Sequence, residues 1–192
     1  SYDGNSNTSG TAPSSASATT GSTYTVESNS TGNLARTGWT FAGWNTADDG
    51  SGTTYSATAP LGSFTVSGAT ILYARWTASV TYNANTGGSG APTDSNAYTA
   101  SDTVTVLSDS GMTKSGHTFN SWNTSQDGTG TSYDPSDTFS IPTTGDVTLW
   151  AQWDEEFTVT YDGNGDDSTG SVPNQQTTPS GTPITIPNNT GN

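Results

Sequence analysis

Few of these 192 residues could carry out covalent chemistry. There is no cysteine, which removes thiol nucleophiles, thiolate metal ligands and disulfides together. His117 is the only histidine. Without a second histidine or a thiol, no nucleophile–base pair can be assembled, and the carboxylates recur at no spacing that suggests an acid–base couple. The expectation is a protein without catalytic residues. The best metal candidate is Asp162-Gly163-Asn164-Gly165-Asp166-Asp167, where Asp162, Asn164 and Asp166 place oxygens at alternate positions as the start of a calcium loop does. Asp3, Asn5 and Asn7 echo it. The bidentate Glu that should close such a loop is missing, because Pro173 stands there, and Asp-Gly and Asn-Gly are also ordinary hairpin turns. No cofactor is expected, with calcium the one weak candidate. Tyr73 and Trp150 are the remaining chemical groups of interest: exposed aromatic rings beside Asn, Gln and Asp can stack on sugars. The competing reading is packing between neighbouring modules.

These residues belong to a sequence that repeats itself. Gly38-Trp39-Thr40-Phe41-Ala42-Gly43-Trp44-Asn45-Thr46 returns as Gly116-His117-Thr118-Phe119-Asn120-Ser121-Trp122-Asn123-Thr124, roughly 78 residues later. Asp49-Gly50-Ser51-Gly52-Thr53-Thr54-Tyr55 returns as Asp127-Gly128-Thr129-Gly130-Thr131-Ser132-Tyr133, and Leu72-Tyr73-Ala74-Arg75-Trp76 as Leu149-Trp150-Ala151-Gln152-Trp153. Tyr2, Tyr82 and Tyr161 open three copies of a Tyr-Asp/Asn-x-Asn segment. The reading is three domains in series: 1–76 with a shortened first strand, 79–153 complete, and 157–192 holding only the opening of a third. Thr77-Ala78 and Asp154-Glu155-Glu156 would be the linkers. Both ends look cut from a longer array.

Composition narrows the class. Seventeen acidic residues against three basic ones give a net charge of −14. A nucleic-acid partner is therefore not expected, since phosphate binding needs a basic footprint. The surface must be largely Ser, Thr, Asn and Gly. Disorder is opposed by 6 Trp, 8 Tyr and 5 Phe that fall at recurring positions. No run is long and apolar enough to insert in a membrane, and no signal peptide lies within these residues.

Strand signals dominate, so the fold class is mostly β. Phe157-Thr158-Val159-Thr160-Tyr161 alternates with period two. Second strands are expected at Tyr24–Val26, Val104–Val106 and Ile184–Ile186, third strands at Trp39–Asn45 and His117–Asn123, and closing strands at Ile71–Trp76 and Val147–Trp153. At most a helical turn is expected near Ser136–Phe139 or Leu34–Arg36. In the closing strands Leu72, Ala74 and Trp76 share the core face and Tyr73 and Arg75 the outer one. Strict alternation would put Phe41 and Trp44 on opposite faces: either Trp44 is exposed, or Gly43 (Ser121 in the second copy) marks a bulge that turns the Trp inward, the reading that a Gly inside a strand favours. The predicted core is Phe41, Trp44, Tyr55, Leu72 and Trp76, with Phe119, Trp122, Tyr133, Leu149 and Trp153 as twins. Arg36 and Lys114 hold one slot and are expected to pair with Asp49 and Asp127 or to pack on a Trp face.

The run from Gly38 to Tyr55, closed by Leu72-Tyr73-Ala74-Arg75-Trp76, resembles the Listeria–Bacteroides repeat, the internalin B-type B repeat. The resemblance covers nearly the whole chain, with Trp39 and His117 standing where the family usually has Tyr. It implies tandem small β-grasp-like (ubiquitin-like) domains on secreted and cell-surface proteins, with no catalytic residues to carry over. The implied function is that of a non-enzymatic extracellular structural array: a stalk, a spacer or the shaft of a filament. The alternative is a multivalent adhesin that binds glycans or surface proteins through Tyr73 and Trp150. Implied partners are neighbouring repeats, other copies of the chain, or such a ligand.

Overall fold

The computed structural model describes residues 1–30, 32–162 and 172–187. Among them there are thirteen strands and no helix. The first repeat holds β1 (Tyr2–Asp3), β2 (Thr23–Thr25), β3 (Thr40–Asn45), β4 (Thr54–Tyr55), β5 (Ser63–Thr65) and β6 (Leu72–Thr77). The second holds β7 (Val80–Asn83), β8 (Thr103–Thr105), β9 (His117–Asn123), β10 (Ser132–Tyr133), β11 (Thr138–Ser140) and β12 (Val147–Val159), and β13 (Gln176–Pro179) follows. The pairing is the same in both. The opening strand pairs with the closing strand, which pairs with the third strand, which pairs with the short fourth: β1-β6-β3-β4, and β7-β12-β9-β10. A two-stranded ribbon, β2–β5 or β8–β11, completes each repeat. The chain forms two compact units. One contains Ser1–Thr81, Asp94–Val104 and Phe139–Val147; the other contains Tyr82–Thr93, Thr105–Thr138 and the described residues from Thr148 on.

Period-two alternation is visible in β6, where Leu72, Ala74 and Trp76 are buried and Tyr73 and Arg75 half-buried. The third strand breaks the alternation by a bulge. Phe41 faces Trp76 and Gly43 faces Arg75, so Ala42 has no partner. In the second repeat Phe119 faces Trp153 and Ser121 faces Gln152, leaving Asn120 over. The extra residue returns Trp44 and Trp122 to the side of Phe41 and Phe119, with ring centroids 5.2 and 5.1 Å apart. Gly43 makes its bulge with a φ of +119°, beside the Tyr55 carbonyl, where a side chain would not fit.

Each buried indole fastens a loop. Trp44 and Trp122 are both 0% exposed. Trp44 Nε1 donates to the Glu27 carbonyl at 2.8 Å, and Trp122 Nε1 to that of Leu107 at 2.9 Å. The amides of those same two residues donate to the hydroxyls of Tyr2 and Tyr82, at 2.7 and 2.9 Å. The tyrosine rings meet the indoles edge-on at 4.7 and 4.8 Å. Burial, together with the Tyr24 hydroxyl, pushes the Tyr2 phenol well above its ordinary pKa. Trp76 donates to Gly4 and Asn5 carbonyls, and Trp153 to Ala84, closing the start of each repeat onto its end. Leu72 and Leu149 are buried beside these rings, while Phe41, Tyr55, Phe119, Tyr133 and Trp153 are half-buried.

A second polar fastening holds the glycine-rich turn. Asn45 and Asn123, 1% and 0% exposed, point under it. The Asn123 amide donates to the Gly128 and Gly130 carbonyls and to Ser132 Oγ, while its oxygen accepts from the amides of Ser125 and Gly130. Asn45 makes the matching bonds to Gly50, Gly52, Thr54 and Ala47.

Three expectations change here. Asp154-Glu155-Glu156 is not a separate linker: β12 runs through it, with Glu155 facing His117, Glu156 N donating to Gly116 O at 2.8 Å and Asn120 bonded to Asp154. Ile184–Ile186 is not a strand. Pro183 and Pro187 bracket it and remove ladder donors, whereas Gln176–Pro179 keeps its amides up to the final residue and pairs with Glu156–Val159. The allowed helical turns are absent; Ser136 turns the chain with a φ of +76°. Asn123→Ala should lower unfolding free energy by about 2–4 kcal/mol, because several buried groups lose their partner at once. Denaturant titration of the full chain checks this, and a loss under about 0.5 kcal/mol would contradict the role given to the side chain.

Candidate functional site

The outer face of the closing strand carries the sequence-predicted binding residues. Trp150 stands on β12 opposite Asn123 and is half-buried. It lines a polar groove of about 510 Å³ with Asn85, Thr86, Thr124, Ser125, Gln126 and Asp127. Two local devices build that groove. Asn85 adopts a left-handed conformation (φ 61°), and its amide donates to the carbonyls of Gln126 and Ala151, both at 2.9 Å, binding the opening loop to the turn and to β12. Asn123 fixes the turn from beneath, as described above. Asp127 at the turn's start accepts from Thr129 Oγ1 at 2.7 Å and from Thr129 N at 3.1 Å. Those bonds, the side-chain one first, hold its carboxyl below the usual aspartate range. A half-covered indole flanked by amides, hydroxyls and a carboxylate is the chemistry of a surface that takes a polar ring, such as a sugar. Tyr73, the twin of Trp150, is also half-buried and is not among the residues that line this groove.

The other candidates fall elsewhere. His117 is half-buried and its Nδ1 lies 2.8 Å from the Ser115 carbonyl. Of the weak calcium candidate, Asn164 and Asp166 lie outside the described residues, as do Asn188–Asn192, read as the match to Asn29–Asn33. The echo of that loop in the first repeat serves the backbone instead. Asp3 Oδ1 accepts the Asn5 amide at 2.8 Å, and Asn5 Nδ2 donates to Asp48 O and Ala74 O. Asn83 and Asn85 repeat both arrangements. Among the described residues no three metal-ligating side chains cluster. Arg36 takes the second of its two expected roles: its guanidinium carbon lies 4.4 Å from the Trp39 ring centroid. No ion pair joins it to Asp49, whose Oδ1 is taken by Ser51 N and Oγ.

The asparagine fastenings and the Asp turn are laid down twice, on the same motif, whereas the Trp150 groove and the Arg36–Trp39 stack each fall in one repeat. The family model of the Listeria-Bacteroides repeat domain matches residues 1–75 and 79–152. The chain belongs to that family. A relative in Evansella cellulosilytica, named "Putative Gly-rich membrane protein", is 39% identical over 162 residues, which is 81% of this chain and 18% of the relative. A second protein of the same organism, named "Putative membrane protein", is 35% identical over 85 residues, 43% of this chain and 13% of its own length. The chain thus spans less than a fifth of either. No solved structure matches it. No helix among the described residues is long and apolar enough to cross a membrane.

The repeats of this chain also use asparagines to fasten their loops, a role that sequence reasoning did not assign. Asn45, Asn123, Asn5 and Asn85 lie inside the recurring motifs, and their recurrence was the available signal. The Asp127 turn yields a titration test. Because Asp127's folded pKa is depressed, its bonds to Thr129 contribute stability above the ordinary aspartate pKa, and that contribution is lost as pH falls through the depressed value. Thr129→Val should move the Asp127 carboxyl resonance midpoint upward toward the ordinary value in an NMR titration. An unchanged midpoint would mean that the side-chain bond is not the main cause.

Proposed function

We propose that this chain is a structural segment of a cell-envelope protein, held outside the membrane, where its tandem repeats act as a stalk, a spacer or a filament shaft rather than as an enzyme. The observation that carries this reading is the parallel pairing of the strands that open and close the first repeat. Tyr2 faces Leu72 and Asp3 faces Tyr73, running in the same direction. Tension applied to the two ends of a repeat pulls such a pair apart along its length, so its bonds load together rather than opening one by one. The same pairing of first and last strands supports a helix-less, β-grasp-like module. The membrane-protein names of the relatives support an envelope location.

A second reading has its own support. The Trp150 groove makes each suitable repeat a weak glycan site, and repetition along an array would multiply weak contacts into avidity. No cofactor is assigned in either reading, and neighbouring repeats or other copies of the chain are the proposed structural partners.

Single-molecule pulling of the full chain tests the mechanical reading. Unfolding peaks should each release about 25 nm of chain, the extended length of one repeat at roughly 3.4 Å per residue. Smooth extension with no peaks would remove the stalk reading and leave the adhesive one.

A further inference from the structure

A chain with 17 acidic and 3 basic residues has little reason to leave a basic residue unpaired. Yet two of its three basic residues meet in one place without acidic partners. Arg36 and Arg75 are both half-buried, and both line a cavity of about 280 Å³ with Trp39, Asn5, Asp48 and Asp49 of the first repeat, to which Thr99 and Ala100 from the second repeat's sequence add an edge. Among the described residues neither guanidinium makes a hydrogen bond or an ion pair; Arg36 only lies against the Trp39 ring. Each guanidinium offers five N–H donors in a planar fork that matches a carboxylate. Half-burial limits how well water can satisfy them.

The rest of the lining states what else the ligand carries. Asp48 and Asp49 are exposed carboxylates at the rim. A bare anion would bind the guanidiniums but be repelled by these two. A neutral sugar would satisfy the two carboxylates and leave the guanidiniums unmatched. A molecule with one carboxylate and several hydroxyls fits both: its carboxylate accepts from the arginines, and its hydroxyls donate to Asp48 and Asp49. The volume is at the small end of ligand sites and suits one ring.

We propose that the Arg36–Arg75 cavity is a binding site for a carboxylated sugar of the uronic-acid type, and that the arginine pair that makes it belongs to the first repeat alone. The second repeat has Lys114, Gln152 and His117 where the first has Arg36, Arg75 and Trp39. Gln152 there turns its amide to the carbonyls of Ser125 and Trp150. The assignment does not depend on the stalk reading.

The test is an NMR titration of the full chain, following the arginine Nε–Hε resonances with D-galacturonate, D-galactose, acetate and alanine as separate probes. Galacturonate should shift both resonances saturably in the millimolar range, with galactose, acetate and alanine each about tenfold weaker or worse. Arg75→Gln places in the first repeat the residue that the second already folds with, so it should stay folded and lose about tenfold or more in affinity. Lys114→Gln should leave binding unchanged. Three results would each overturn the proposal: no saturable shift at either arginine, alanine binding as well as galacturonate (a site for zwitterions), or equal losses in Arg75→Gln and Lys114→Gln.

Discussion

An indole N–H sealed inside a β-sheet core must find an acceptor, and in each repeat that requirement decides where a loop can lie. Trp44 and Trp122 are wholly buried, and leaving their donors unpaired would cost about 1–3 kcal/mol each. The carbonyls of Glu27 and Leu107 answer them. The tyrosine that opens the repeat then takes the amide of the same loop residue. One peptide position is thus gripped at both its polar groups, by the first strand and the third. This links the opening strand, the ribbon that follows it and the bulged central strand through one aromatic cluster. The bulge is part of the arrangement, because without the extra residue the indole would face away from that loop.

The fold economises on everything else. It has no disulfide, no helix among the described residues and few charges, and small domains bury a smaller share of their surface than large ones. Asparagine takes over much of the fastening. Asn45 and Asn123 organise the glycine turn, and Asn5 and Asn85 bind the opening loop to that turn and to the closing strand. These are local bonds that each repeat makes for itself, which is what a unit copied in series requires. The residues that differ between the copies stand where function has room to differ: Trp150 against Tyr73 on the outer face, and Arg75 against Gln152.

Much of this was legible in the sequence where periodicity carried it. The faces of the closing strands follow from alternation in Leu72–Trp76, and the bulge from a Gly beside Trp44. Ser121 carries no comparable signal; only its position as Gly43's twin marks it. Elsewhere local composition misled. Ile184-Thr185-Ile186 has strand propensity, but its flanking prolines take away the ladder donors. Asp154-Glu155-Glu156 reads as a polar linker, yet β9 offers it backbone partners. For Arg36 the sequence left an ion pair with Asp49 and packing on a Trp face both open; the arginine lies against Trp39, and Ser51 takes the Asp49 carboxylate. The buried asparagines could not be assigned from type alone, because Asn in a Gly-rich stretch is equally at home in solvent. Their role depends on carbonyls brought together by the turn itself.

The central claim is that the Tyr–Trp grip on one loop residue organises each repeat, and hydrogen exchange reads it directly. The amides of Glu27 and Leu107 lie outside every strand, where loop amides ordinarily exchange fast. If the grip holds the repeat together, both should exchange as slowly as the amides of the central strands and open only with global unfolding. If they exchange at the rate of the neighbouring loop amides, such as those of Ser28 and Ser108, the grip is incidental and the account fails.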